Sequence, residues 1–569
     1  MKSVTGLVAA ISLAVAGAAM AQTAPQSKQP GNKFDIAPLP ERGGTPEFNR
    51  SERSASAPVP RGNVDVSFTL KRVILAPEAS PLAAIDGLSQ AIQQAIGATA
   101  NLAALEGLRR RLTEALVAAG YVSSGVRLTE IDLDAGIATY QIVEGQVSEV
   151  RVAGEGVSDR DLGDVTPDYV RERLSLPDGA FNFETAEERL RILLRDRTIA
   201  RVDAAVRPGA APGDTVLDLN VTRKRPYDFS LTLANDTPNG IGEETLRLNG
   251  AYRGLVTSGD EFRAELEVSE GRRSFILDGD APLWPGGPAP FLAFEYAQSE
   301  FVDAPLSALD LENTFLRIGG GLRAPLLETS RRSLTGVLGF DYKRTKSSLL
   351  GQGFSFSPGV ENGVAKTSVA SLAAEFVDLG DDRTIALRAA ANLGVSVLGA
   401  TQNPSGVPDG DFASLVAQAQ VAQRLSPDLT LIARAQGQIA STALLPLEQV
   451  AIGGRETVRG FSEAVVSGDD GVVGSLEARI SLLDLPVPGL TPGGAAAPLT
   501  LAPFIEGGKV WRKNGGGSDT LIGAGAGLLW SPRPGIDTAF YVGAALKGAE
   551  DGGGLQGEGV HFVVTITLP

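Results

Sequence analysis

The sequence predicts two small α+β modules followed by a transmembrane antiparallel β-barrel of about sixteen strands, in a chain of 569 residues. Three observations carry that expectation. Apolar residues recur at helical spacing only before about Pro226, and beyond it the period is two. The composition, with 68 Gly, 43% hydrophobic and 6% aromatic residues, is one of strands and turns. The N-terminus reads as an export signal, which moves the chain out of the cytoplasm.

In order along the chain, Lys2 precedes an apolar run from Val8 to Ala18, and Ala19-Met20-Ala21 supplies a cleavage pattern. Residues 1–21 are therefore expected to be a secretory signal peptide. The run is too short to span a bilayer, and no later apolar stretch has the length of a membrane helix. An exported chain of this kind is either soluble outside the cytoplasm or crosses a membrane as a barrel. Residues 22–62 hold Pro38, Pro40, Pro46, Pro58 and Pro60 and read as an extended linker.

The first module is expected over 63–146. Val64 to Leu70, continuing through Val73-Ile-Leu75, reads as a strand. Two helices follow, the second with Leu105, Leu108, Leu112 and Leu116 on one face and Gly120 as its stop. Val126–Leu133 and Gly136–Val143 then form a hairpin, completing the order β-α-α-β-β. The second module, 147–225, repeats that order. Its strand is Val147–Val152 and its helices are Asp168–Leu174 and Thr185–Arg195. The latter opens on a capping box, Thr185-x-x-Glu188, and presents Ala186, Leu190, Leu193 and Leu194. Strands Ile199–Val206 and Thr215–Val221 close the module.

From 226 to 569 helices disappear. Glu261-Phe-Arg-Ala-Glu-Leu-Glu-Val268 alternates charge with apolar groups, and it is one of about sixteen such segments over roughly 340 residues. Gln418, Gln420, Gln423, Arg434, Gln436 and Gln438 mark one face, with Ala, Val, Leu, Ile and Phe on the other. A wet lumen inside a lipid-facing band predicts that division, and an even strand number leaves no open edge. A large soluble β-sandwich or solenoid has the same period and is the alternative.

Few function classes survive. A formal charge of −16 argues against a nucleic-acid binder. With 0 Cys there is no disulfide framework or thiolate metal site, and no cofactor is expected. The single His561 lies on the polar face of the last strand, away from any nucleophile turn, and reads as a lumen-facing or interfacial residue rather than a catalytic base. Gly523-Ala-Gly-Ala-Gly527 has no helix after it to hold phosphate, so its small residues read as room for a close neighbour. Thr222-Arg-Lys-Arg225 reads as a solvated hinge. One pairing carries more. Arg459, in Gly453-Gly-Arg-Glu-Thr-Val-Arg-Gly-Phe461, can meet Glu506, the one acid in the apolar strand around Phe504 to Gly508, if both point inward. The alternative is a loop-tip arginine in solvent, worth little.

The chain resembles the outer-membrane transporters of two-partner secretion systems, the TpsB class of barrels carrying periplasmic POTRA modules. The resemblance spans about Val64 to the C-terminus. Ile452-Gly-Gly-Arg-Glu-Thr-Val-Arg-Gly-Phe461 matches the family's VRG(F/Y) signature, in a long loop that folds back into the barrel. Phe504-x-Glu506-x-Gly508 corresponds to its F-x-D-x-G strand motif, with Glu in place of Asp. Gly468-Asp-Asp-Gly471 with Glu477-Ala-Arg479, Gly259-Asp260, and the module ends at Gly120-Tyr-Val122, Val143-Glu-Gly145 and Val206-Arg-Pro-Gly209 also fit. The resemblance implies a loop-to-barrel lock of Arg459 on Glu506, framed by Val458, Gly460, Phe461, Phe504 and Gly508. It further implies two POTRA modules, a candidate plug segment within 22–62, and an outer-membrane location with the modules in the periplasm. The implied partners are an unfolded secreted exoprotein, outer-membrane lipids and, during biogenesis, the barrel-assembly machinery. The function implied is export without ATP. An assembly factor that inserts other barrels, a passive porin and an outer-membrane enzyme are the alternatives. The family often has a plug helix, and such barrels commonly end in Phe, whereas 22–62 is rich in Pro and Gly and this chain ends Thr567-Leu568-Pro569.

Overall fold

The computed structural model describes residues 48–50, 66–158, 163–302, 306–493, 495–513, 515–548 and 553–568. The expected signal peptide and nearly all of the linker, including the candidate plug segment, lie outside these residues. The chain divides into two compact units, one running from Arg42 to Lys224, the other containing Arg225–Pro569.

In the first unit, β1 (Arg72–Ala76), α1 (Asp86–Ala95), α2 (Leu102–Ala118), β2 (Gly125–Asp132) and β3 (Ile137–Val143) form the first module. The sheet order is β1-β3-β2, with β1 parallel to β3 and β2 antiparallel to it. The long strand expected from Val64 is broken: Phe68–Thr69 pairs instead with Thr99–Ala100, and β1 starts afresh at Arg72. Asn101 caps α2 by accepting from Ala104 N at 2.9 Å. Leu105, Leu108, Leu112 and Leu116 all lie in the core, each burial contributing about 1.5–3 kcal/mol.

The second module repeats the order with β4 (Gln146–Ala153), α3 (Pro167–Leu174), α4 (Phe183–Leu194), β5 (Ile199–Pro208) and β6 (Asp214–Arg223). A three-residue strand, Phe48–Arg50, adds in parallel to β5. Thr166 caps α3 through Tyr169 N, with Pro167 in the first turn. The capping box expected at Thr185 is displaced. Asn182 is the cap, accepting from Thr185 N at 3.1 Å, so α4 starts two residues earlier. The hinge also differs from a solvated one. Arg223 pairs with Asp164 at 3.2 Å and Lys224 Nζ donates to the Asp196 carbonyl.

The second unit is a closed antiparallel barrel. Its sixteen long strands are β7 (Tyr227–Asn235), β8 (Glu244–Arg253), β9 (Glu261–Val268), β10 (Arg272–Asp280), β11 (Ala289–Glu300), β12 (Glu312–Glu328), β13 (Arg332–Leu349) and β14 (Val364–Leu379). They continue as β15 (Arg383–Gly394), β16 (Ala413–Ser426), β17 (Leu429–Ala440), β18 (Asp470–Asp484), β19 (Pro498–Trp511), β20 (Ser518–Arg533), β21 (Ile536–Lys547) and β22 (Val560–Leu568). A two-residue strand, Gln352–Gly353, is a spur on β13. Closure comes from β7 against β22, from Phe229↔Leu568 to Ala234↔Val563. Asn235 extends that seam by accepting from Phe562 N and donating to Val560 O.

Alternation decides the faces. Leu248, Leu266, Ile318, Leu338, Leu372, Leu415, Ile439, Leu476, Ile505 and Val542 are exposed on the outside, as a lipid-facing band requires. Arg247, Glu267, Glu295, Arg317, Lys343 and Thr367 are buried inside. Among the six residues expected to face inward, Gln423 departs. It shares the outward parity of Leu415 and Val421 near the end of β16, where its amide donates to the Asp382 and Arg424 carbonyls.

Candidate functional site

The barrel is not empty. Between β17 and β18 the chain runs from Ser441 to Asp469 and folds into the lumen as a short ribbon, Val450–Ile452 against Val466–Gly468. Apolar residues placed as if in a small core make this possible. Val450, Ile452, Val458, Phe461 and Val466 pack with Val473, Val510 and Leu521 of the wall. Gly508 is small for this reason, because a Cβ there would lie 3.0 Å from Ile452 Cδ1. Thr457 Oγ1 both accepts from Gly453 N and donates to Gly453 O, each at 2.8 Å, closing the tip on itself.

Arg459 stands at that tip and is 2% exposed. Its Nη2 and Nε donate to Glu506 Oε1 at 2.6 and 3.1 Å, while its backbone N donates to Glu506 Oε2 at 2.7 Å. Both oxygens of one carboxylate are thereby taken by one residue. The Glu that stands in the position of the pattern's Asp reaches both the guanidinium and the main chain.

The pair expected from the sequence is part of a larger cluster. Arg459 Nη1 donates to Glu477 Oε2 at 2.7 Å, and Arg479 Nε donates to Glu477 Oε1 at 3.0 Å. Two cations therefore meet two carboxylates, with Arg459, Glu477 and Glu506 buried and Arg479 partly exposed. Ser475 Oγ donates to Glu506 Oε1 at 2.9 Å. The guanidinium carbon lies 3.7 Å from the Phe504 ring centre and 4.5 Å from that of Tyr541, and the two rings meet edge-on. An arginine held by carboxylate forks in its plane and by aromatic faces across it has little freedom to rotate.

The next residue explains two other features. Gly460 adopts φ +99°, a region that a side chain would strain. Its N–H donates to Nε2 of His561 at 3.3 Å, so the chain's single histidine is fully buried as a docking acceptor. The glycines of β20 and β21 supply room for the loop: a Cβ on Gly523 would meet the Arg459 carbonyl at 2.1 Å, and one on Gly543 would meet Gly460 N at 2.8 Å. Behind the tip, Arg455 N donates to Glu463 Oε1, and Glu463 N to Gln556 Oε1. Gln556 in turn holds the Asn235 and Thr237 carbonyls near the seam.

All seven sequence-derived residues, Val458, Arg459, Gly460, Phe461, Phe504, Glu506 and Gly508, thus converge on one place inside the barrel. Glu477, Tyr541 and His561 join them without having been singled out for it. Alternation with Arg479 on the inward face of β18 is the sequence signal that could have flagged Glu477. Among the described residues no grouping of His, Asp and Glu suited to a metal ion occurs.

Comparison with known proteins gives the following. Residues 326–529 match the family model described as haemolysin secretion/activation protein ShlB/FhaC/HecB, and residues 68–145 match the ShlB-type POTRA domain. The outer membrane transporter CdiB of Dickeya dadantii strain 3937 is 24% identical over 456 residues, 77% of this chain and 75% of that protein. CdiB of Escherichia coli O6:K15:H31 is 24% identical over 448 residues, 75% of this chain and 71% of its own length. Among solved structures, CdiB from Escherichia coli superposes with a TM-score of 0.65 at 17% identity, over 90% of this chain and 93% of that one. BamA from Haemophilus ducreyi lacking POTRA domains 1–3 shares the fold at a TM-score of 0.51 and 13% identity, over 88% of this chain and 100% of that one.

Proposed function

We propose that this chain, which belongs to the TpsB class of two-partner-secretion outer-membrane transporters, keeps its export path shut with the Arg459 loop and opens it by letting that loop move. The protein is an outer-membrane pore with its POTRA region in the periplasm, and it carries a partner exoprotein to the cell surface. The modules capture the exoprotein while it is still extended, by adding one of its strands to an exposed sheet edge. The client then passes through the polar lumen in place of the loop. The lipid bilayer contacts the outward leucine band, and the barrel-assembly machinery inserts the chain by its last strand.

The observation that carries this reading is the buried cluster at the loop tip. Leaving exposes the loop's small apolar patch around Ile452 and Phe461, so the loop stays docked unaided. Arg459, Glu477 and Glu506 can exchange one another for water or for polar groups of a passing chain, so the closed state is stable and still reversible.

The test is charge exchange. Arg459→Glu or Glu506→Arg alone should abolish export of the partner exoprotein into the medium. A simple swap leaves the new glutamate against Glu477, so the informative variant combines Arg459→Glu, Glu506→Arg and Glu477→Gln. It should recover part of the export. If the combined variant is as inactive as the singles, the ion pair is not the lock. Deleting the gene should trap the exoprotein in the periplasm, and unchanged surface and secreted proteins would sink the secretion reading.

A further inference from the structure

The tip of the loop is one attachment, and its root is another. Glu448 lies at the beginning of the loop, two residues before the ribbon, and is buried. Both of its carboxylate oxygens accept from Lys343 Nζ, at 3.1 and 2.9 Å, and Oε1 also accepts from Thr367 Oγ1 at 2.6 Å. Lys343 and Thr367 face one another directly across β13 and β14. These are the seventh and eighth strands of the barrel, whereas the tip docks on the twelfth to the sixteenth. The two attachments therefore pull on different walls.

The surroundings of Glu448 make its charge necessary. Lys343 stands in register with Arg317 on β12, two like charges side by side, and Asp341 neutralises only Arg317, at 2.5 Å. Lys343 is 5% exposed, so without Glu448 it would lose its direct carboxylate partner and keep only the more distant Glu295, which stands in register with Arg317. The main chain is clasped as well. Gln438 Nε2 donates to the Glu448 carbonyl at 2.9 Å and to the Asp469 carbonyl at 3.1 Å, joining the two ends of the loop. Asp469 accepts from Leu444 N, Gln449 Nε2 and Lys513 N.

We infer that Lys343, Glu448 and Thr367 form a second latch, which positions the loop root independently of the Arg459 cluster. Freeing the tip alone swings the ribbon but leaves the root across the lumen, and a wide path requires both to let go. When Glu448 leaves, Lys343 and Thr367 present a vacated site for a carboxylate, so an acidic side chain of the extended client is the chemistry that would replace it. The inference rests on the loop being the gate, and its test separates the two ideas.

The chain has 0 Cys, so one engineered thiol reports one place. Leu447→Cys reports the root and Val458→Cys the tip, both buried at present. Full-length protein in liposomes is treated with a membrane-impermeant maleimide, and barrel integrity is checked by electrophoretic mobility before and after heating. Glu448→Gln should speed labelling at Leu447→Cys by about tenfold or more and leave Val458→Cys protected. Arg459→Ala should do the reverse. The exchange Lys343→Glu with Glu448→Lys should restore root protection, which a role in packing alone would not. If Glu448→Gln leaves the root protected, or Arg459→Ala exposes the root as fast as the tip, the second latch does not exist. If Arg459→Ala leaves Val458→Cys protected, it is the tip lock that fails, whatever the root does.

Discussion

The two interiors of this molecule are built on opposite principles. Inside the first module, Leu105, Leu108, Leu112 and Leu116 are at most 1% exposed, and the core is apolar but for the hydrogen-bonded Tyr140 hydroxyl. Inside the barrel the most deeply buried side chains include Arg459, Arg317, Glu295 and Glu477. The modules are held by the exclusion of water, which gives a core that stays closed. The lumen is held largely by ion pairs and hydrogen bonds, which water or a client can replace, with one small apolar patch around Ile452 and Phe461 where the loop docks. On the proposed gating, a mostly polar interior lets the loop fill the pore and still leave it.

The contrast can be broken in both directions. The largest effect is expected from Arg459→Ala, which leaves Glu506 and Glu477 buried without their shared cation. Docking of the tip should weaken by about 3–5 kcal/mol, read as faster modification of a tip thiol with the barrel's melting unchanged. Leu112→Ala should lower the stability of the first module by a similar or slightly smaller amount, about 2–5 kcal/mol, and leave tip labelling untouched. Next comes His561→Phe, which strips the Gly460 N–H of its acceptor and should weaken docking by about 1–3 kcal/mol, detected in the same thiol assay.

A further expected effect is a pH dependence of the first module. Burial raises the Tyr140 phenol from its ordinary 10.0 to about 12, and its hydroxyl donates to the Leu105 carbonyl at 2.9 Å. The folded state thus favours the neutral phenol, and its contribution is fully present below pH 10. It is lost as pH rises from 10 toward about 12, because the unfolded chain ionises first. Denaturant unfolding of the first module should weaken over that window, and Tyr140→Phe should flatten the dependence.

Much of this was readable from the residues alone. Each of the sixteen barrel strands carries its own period of two, a local property that no distant contact has to supply. The ends were less visible, since β12 and β13 run on well past the alternating stretch because their neighbours continue to pair. The α4 cap was misassigned because Asn182 and Thr185 both have capping side chains, and only the backbone turn decides between them. At the lock, Glu506 stands out as the one acid in an apolar strand, and Arg459 through the signature that surrounds it. Glu477 does not, being one inward acid among Glu265, Glu267 and Glu295. His561 owes its role to barrel closure, which brings the last strand beside a loop one hundred residues away in sequence, and no local pattern encodes that.

The most direct measurement holds the loop shut by a covalent link and asks whether export stops. Gly508→Cys with Ile452→Cys puts two thiols where a Cβ would already lie 3.0 Å from the isoleucine terminus. A short, reductively cleavable thiol cross-linker can then join the ribbon to β19. The account predicts that the bridged protein exports none of its partner exoprotein and that reduction restores export. Export at the unbridged rate with the bridge intact would contradict it.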